Sequence, residues 1–396
     1  MLARIKDVGG GDIAVIMAVF TIVVLMIAFQ YPFPSPIDEL AHFSVVRAQF
    51  EHPDLFADAS RYFLVMRDDL TRWSTNSNYV NHPALYYIGL APLLQFGHDV
   101  LALRLANVII TIVAMIAIIV AGCQILHSRF ERTMFALITV SFPKTALIGG
   151  MVNNDNLALV AAAAVFTGLS GGHYAALLIA GGLALAGWTK LTALIALALV
   201  VGIKTLLDGH WTILRRETLY AIVGIIVGSL PFLVTFAETG HLFHVNTAVF
   251  SVPPEARPNA TFAQFLQFFL TEIVNKWPAA ERSLPLLIGS ILILAPFVLA
   301  ALGIAVDRRV RTISLAYMIA IAGTLCLHIA FGWSSFQSIG DATIAQTRYY
   351  NVLWPGIALA GAAALAKLQR HRLLASTAII FFLIPTVLGG TLIALI

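Results

Sequence analysis

The sequence predicts an all-α polytopic membrane protein, and three observations carry that reading. Of its 396 residues, 59% are hydrophobic and only 11% are charged, whereas soluble domains carry nearer a quarter charged residues. The apolar residues fall in runs long enough to cross a bilayer as helices, which takes about 20 residues. The basic residues gather in short segments between those runs, as orientation signals do. The net charge of +4 therefore does not indicate nucleic acid, and no basic stripe with interleaved aromatics is present. The two cysteines, Cys123 and Cys326, each sit inside an apolar run. That excludes a disulfide framework or a cysteine zinc cluster.

Residues 1–30 read as an uncleaved signal-anchor helix. Arg4 and Lys6 precede the apolar stretch Ile13 to Phe29, and no small-x-small cleavage site follows. The chain then emerges as Ser35-Pro36-Ile37-Asp38-Glu39-Leu40-Ala41-His42-Phe43, two adjacent carboxylates and a histidine just outside the first span. If Ser35 caps a helix with Pro36 in its first turn, Asp38 and His42 share a face and Glu39 points about 100° away. An equally simple reading makes Asp38 part of a variant capping box that satisfies the helix end.

Residues 31–100 form a long first extracytoplasmic loop, rich in acids, with apolar residues at helical spacing near Leu40–Val46. Within it, Pro83 to Phe96 is too short to span and reads as an interfacial amphipathic helix with tyrosines at headgroup level. Residues 101–237 hold spans two to seven, with a polar turn Asn153-Asn154-Asp155-Asn156 after the third and Lys190 opening the sixth. Residues 238–283 form a second large loop. Residues 284–396 hold spans eight to eleven, the tenth from Tyr349 to Ala366 and the last from Leu373, which gives about eleven in all. The predicted inner face collects 13 of 24 basic residues against six acids, while the other face and its helix ends hold 14 of 20 acids. The positive-inside rule then puts the N-terminus in the cytoplasm and the long loops outside, in a cytoplasmic (inner) membrane.

One constellation gathers at the outer face. Asp38, Glu39 and His42 follow the first span, Asp155 lies in the next outer turn, and Lys190 and Arg348 sit at outer helix ends. Lys144 falls inside the third span beside Pro143. Charges at the rim of an apolar segment are costly and tend to serve a cavity or a polar ligand. Each also has a plainer role: Asp155 or Asn154 as a helix cap, Lys190, Arg348 and Lys144 snorkelling to headgroups, Arg104 anchoring the second span. His241 and His244, three residues apart, are spaced to share a helix face, although loop histidines are common. No inverted repeat is visible, which counts against a secondary transporter.

The order of these motifs resembles the GT-C superfamily of integral-membrane glycosyltransferases, and within it the DUF2142 membrane-protein family. The matching residues are Asp38-Glu39-Leu40-Ala41-His42-Phe43, Asn81-His82-Pro83-Ala84-Leu85-Tyr86-Tyr87 and Arg104-Leu105. They continue with Asn153-Asn154-Asp155, Trp188-Thr189-Lys190-Leu191-Thr192 and Arg348-Tyr349-Tyr350, with Pro355 following. Ala84 departs from a usual proline, and no large soluble domain follows the last span, which leaves acceptor recognition to the membrane core and loops.

The resemblance implies a GT-C-like fold and sugar transfer from a polyprenyl-phosphate-sugar donor to a glycan, lipid or protein acceptor. It makes Asp38 the base and Asp155 a second acid, with Glu39 beside them. Lys190 and Arg348 become ligands of the lipid phosphate, with Lys144 and Tyr349 nearby, and His42, His82 and Asn154 support. Whether a divalent metal such as Mg or Mn takes part is left open, with Asp38 and Asp155 as its candidate ligands. The chemistry suits these types, since a base worth about 10²–10⁴-fold would activate the acceptor hydroxyl and fixed cations would hold the departing phosphate. The predicted outcome is inversion. The competing function is a transporter or flippase of a lipid-linked sugar, which needs ionisable groups near mid-bilayer.

Overall fold

The computed structural model describes residues 10–57, 62–97, 100–142, 144–209, 216–242, 260–276, 286–339 and 346–368. Arg4, Lys6, Pro143, His244, Arg370, Arg372 and the expected last span lie outside these residues.

The chain is helical nearly throughout. Helix α1 (Gly10–Gln30) leads to α2 (Glu39–Glu51), a two-stranded antiparallel hairpin of β1 (Phe63–Val65) and β2 (Trp73–Ser77), and α3 (Leu85–Leu90). A 3-10 turn, Ala91–Phe96, continues α3. Then come α4 (Val100–Ile125), α5 (Arg129–Val140), α6 (Thr145–Gly149), α7 (Asp155–Leu169), α8 (Ala175–Gly187), α9 (Leu191–Leu207) and α10 (Arg216–Thr239). The described residues close with α11 (Phe262–Lys276), α12 (Leu286–Val306), α13 (Arg308–Ile339), a 3-10 turn at Thr347–Leu353 and α14 (Trp354–Leu368). Five of these stretches are long and apolar enough to cross a membrane, and several shorter apolar helices stand between them. The protein is an integral membrane protein.

Helix α14 is the hub of the bundle. Trp354 through Leu365 are all buried, and the helix packs on α5, α12 and α13. Its alanines and glycines allow that approach: a Cβ on Gly356 would come within 2.3 Å of the Tyr317 ring, and one on Gly303 of α12 within 2.0 Å of the Ala360 carbonyl. Small residues let helix backbones meet closely where lipid offers no hydrophobic drive. On the second flank α8 packs on α7 and α10.

Ion pairs mark the two ends of the bundle. At one end Arg129 grips Asp12 at 2.7 Å and Arg309 meets Glu131 at 2.6 Å. At the other end lie the long first loop, Asp155 and Lys190. Ser128 and Glu131 form a full capping box at the start of α5.

Several boundaries differ from the sequence reading. The third span is broken: α5 stops at Val140 and α6 starts at Thr145, with Lys144 in the left-handed region at φ 68°. A proline removes a backbone donor and pushes its predecessor out of helical geometry, so the break falls where Pro143 stands in the sequence. Helix α13 is 32 residues long, well beyond the about 20 that a crossing takes. Its Trp333 and Phe336 pack with Phe265 and Phe269 of α11, a helix inside what was read as loop. The tenth span opens as a 3-10 turn rather than a regular helix, which displaces Arg348 and Tyr349 from helical register. The β-hairpin was not anticipated. It is pinned by the Ser44 hydroxyl, which accepts from the Val65 N–H at 2.9 Å.

Candidate active site

The site is assembled from four turns at the end of the bundle that carries the long first loop. The first turn positions Asp38. Helix α2 begins at Glu39, not at Pro36, and Asp38 is its left-handed N-cap residue at φ 58°, with no side-chain capping bond. The expected helix face shared by Asp38 and His42 is therefore corrected. The Asp38 side chain is free to leave the helix axis, and it accepts from the Tyr79 hydroxyl at 3.0 Å and from Arg348. Burial, the largest influence, would raise the Asp38 pKa, but the Arg348 charge together with the smaller contributions of His42 and of the hydrogen bonds from Arg348 and Tyr79 holds the carboxyl below its ordinary value.

Glu39 does not join this group. Its fully buried carboxylate takes two bonds from Arg104, at 2.8 and 2.7 Å. It also accepts from the backbone N–H of Ser35 at 2.9 Å and of Val152 at 3.2 Å. With both oxygens committed, Glu39 acts as a brace for the turn that presents Asp38, which corrects its placement among the catalytic groups. Arg104 is its partner as well as an anchor, since Arg104 also donates to the Ala28 and Tyr31 carbonyls.

The second turn supplies Asp155, the first residue of α7, paired with Lys190 at 2.8 Å. The third supplies Lys190, extended just before α9, and the fourth supplies Arg348. Arg348 bridges the two carboxylates, meeting Asp38 directly and coming to 3.6 Å of Asp155 through Nε. The Tyr349 ring lies under both cations, 4.5 Å from the Lys190 ammonium and 5.8 Å from the Arg348 guanidinium. Asp38, Arg348, Asp155, Lys190 and Tyr349 thus form one continuous network.

A histidine stack flanks it. His42 Nδ1 is 2.8 Å from the Tyr87 hydroxyl, and its ring lies over His82 at 5.9 Å, nearly parallel. Burial holds His42 neutral and drives its pKa down to about 3, against the opposing pull of the Asp38 charge. His82 also lines a groove with Leu55, Phe56, Pro231, Phe232 and Thr235, between the first loop and α10.

Asn154 is fully buried and donates to the Thr189 carbonyl at 3.0 Å, one residue before Lys190. Lys144 is half-buried at the head of α6, whose Thr145 donates to Asn351 at 3.2 Å, in the turn that carries Arg348. His241 is exposed beyond α10.

Tyr79 escaped the sequence reading, and Tyr87 and Asn153 stood in its motifs without a role. Asn153 donates to the Ile37 carbonyl, just before Asp38, at 3.3 Å. Its position beside Asn154 and Asp155 was a signal. For Tyr79 there was none, because only the folded loop brings it to Asp38.

The candidate metal ligands do not make a divalent-cation site. Asp38 and Asp155 already face a guanidinium and an ammonium, and the described residues hold no cluster of three or more histidine, cysteine or acidic side chains. Added positive charge would meet two cations there.

No protein-family model matches the sequence, and a comparison with curated proteins finds no match. The crystal structure of ArnT from Cupriavidus metallidurans bound to undecaprenyl phosphate matches with a TM-score of 0.58 at 15% identity, over 93% of this chain. The chain has the fold of ArnT. It spans 63% of the length of that protein.

Proposed function

We propose that the chain is a membrane glycosyltransferase that moves a sugar from a polyprenyl-phosphate-linked donor to an acceptor hydroxyl on the extracytoplasmic side, with inversion. The observation that carries this reading is the direct junction of Asp38 with Arg348, and of Asp155 with Lys190 and Arg348, across turns far apart in sequence. A base and two phosphate-binding cations in one compartment are what such a displacement needs. The ArnT fold supports the same class, and that neighbour was crystallised with undecaprenyl phosphate. The closer likeness to the DUF2142 family rests on motif order alone.

In this mechanism the lipid phosphate is gripped by Lys190 and Arg348, a charge-assisted arrangement that orients the sugar. Arg348 turning toward the phosphate relieves Asp38 of its counter-charge and raises its basicity. Asp38 then takes the proton of the acceptor hydroxyl as that oxygen bonds to the anomeric carbon. The carbon–oxygen bond to phosphate breaks, and its electron pair leaves on the lipid phosphate, stabilised by the same two cations. No step is derived through a metal. The transport reading is less well supported, because the buried acids, lysines and arginines among the described residues pair at the two ends of the bundle.

The test is transfer of label from polyprenyl-phosphate-sugars by the purified protein. Asp38→Asn is expected to lower turnover by about 10²–10⁴-fold while thermal unfolding stays near wild type. Undiminished turnover would remove Asp38 from the mechanism. Movement of the labelled lipid across reconstituted vesicles without covalent transfer would favour a flippase.

A further inference from the structure

Four buried polar atoms without a hydrogen bond belong to residues of the site: Nε and Nη1 of Arg348, Oδ2 of Asp155 and Oδ1 of Asn154, with Arg348 Nε and Asp155 Oδ2 facing each other at 3.6 Å in an ion pair. The other such atoms among the described residues are single hydroxyls on α5 and α13. Leaving a buried polar group unpaired costs about 1–3 kcal/mol, so a concentration of four marks a place built for a polar ligand.

The four differ in kind. The two Arg348 nitrogens are donors, and on the glycosyltransferase reading a phosphate satisfies them. Asn154 Oδ1 and Asp155 Oδ2 are acceptors, and an ionised phosphate has nothing to donate to them.

Asn154 is not free to flip its amide. Its Nδ2 is committed to the Thr189 carbonyl, so its oxygen faces the other way as an acceptor. Its neighbours contrast with it. Asn153 uses Nδ2 on the Ile37 carbonyl and Oδ1 on the Asp155 N–H. Asn156 accepts from Thr111 and donates to Asn107 and the Ile148 carbonyl. Of the three asparagines in this turn, Asn154 alone keeps a buried acceptor unmet.

We propose that Asn154, together with Asp155, forms a subsite that accepts hydrogen bonds from hydroxyl groups of the sugar carried on the lipid phosphate. The subsite makes Asn154 a donor-specificity residue, distinct from the cations that hold the phosphate. It rests on the glycosyltransferase reading. A site whose buried acceptor needs a hydroxyl discriminates against a ligand that lacks one.

The experiment measures binding of two probes, undecaprenyl phosphate and undecaprenyl-phosphate-glucose, to the full chain in nanodiscs, for wild type and Asn154→Leu. The expected result is a loss of about 10-fold in affinity for the glucosylated lipid, with less than about 2-fold change for the bare lipid phosphate. Asn154→Ala makes the same comparison if the leucine variant does not fold. Parallel loss for both probes would reduce Asn154 to a tether for Thr189 and overturn the subsite, as would no change for either. Wild-type protein that binds neither lipid would overturn the glycosyltransferase reading itself, and the subsite with it.

Discussion

Asp38 and Glu39 are neighbours in sequence with opposite fates. One is turned out by a left-handed backbone onto Arg348, and the other is sealed against Arg104. Breaking a buried pair by removing one partner leaves an uncompensated charge worth about 3–5 kcal/mol. Glu39→Gln is therefore expected to lower stability by about that much in a reversible unfolding assay, whereas Asp38→Asn changes it less, because the Asp38 side chain is part-exposed and Arg348 keeps Asp155 as a counter-charge. Equal losses would contradict the division of labour. The histidine beside them sets an acid limit. His42 has a folded pKa near 3 against an ordinary value of 6.5, so below about pH 6.5 the unfolded chain takes up a proton that the folded chain refuses. Stability is complete above that pH and falls as pH drops, by about 2 kcal/mol between pH 7 and 5. His82, stacked against it and also held well below its ordinary value, adds to the loss over the same range, and Asp38, also depressed, adds only at lower pH. His42→Gln should flatten this stretch of the unfolding profile, and an unchanged slope would deny that His42 is buried and neutral. At this scale the sequence singled out charges that the fold brings together, Asp38, Asp155, Lys190 and Arg348. It did not show which carboxylate is spent on architecture, because that depends on Arg104, 65 residues away.

The elements explain why the four turns hold their register. Helices α8 and α10 meet where Gly187 faces Gly228, and a Cβ on Gly187 would come within 2.0 Å of the Gly228 carbonyl oxygen. Trp188, the next residue, donates to the Val227 carbonyl at 2.9 Å, and Lys190 follows two residues later. Gly187→Val should push α10 away, lower stability by a few kcal/mol, and cut lipid binding through Lys190, while Gly181→Ala, with open space around it, should do neither. Unfolding and binding measured on the two variants check this. Apolar length made α1, α4, α10 and α14 legible in the sequence. Helix α11 was legible in principle, since Phe262, Phe265, Phe269 and Ile273 recur at helical spacing. The break between α5 and α6 was signalled by Pro143, yet apolar continuity masked it. The hairpin was hidden because its strands are only three and five residues long, the second is mostly polar, and their partners are tertiary.

Across the whole molecule, charge is sorted by end. Arginines and acids pair at one end around Asp12, Glu131 and Asp307, and the reactive network occupies the other. The convergence of Asp38 with Arg348, 310 residues apart, was beyond any local pattern; only the order of motifs hinted at it. The most direct measurement is a density map of the protein with undecaprenyl phosphate retained. The account predicts the phosphate against Lys190 and Arg348, with Arg348 drawn off Asp38. A phosphate lodged elsewhere, with the Asp38–Arg348 pair closed and unaltered, would contradict it.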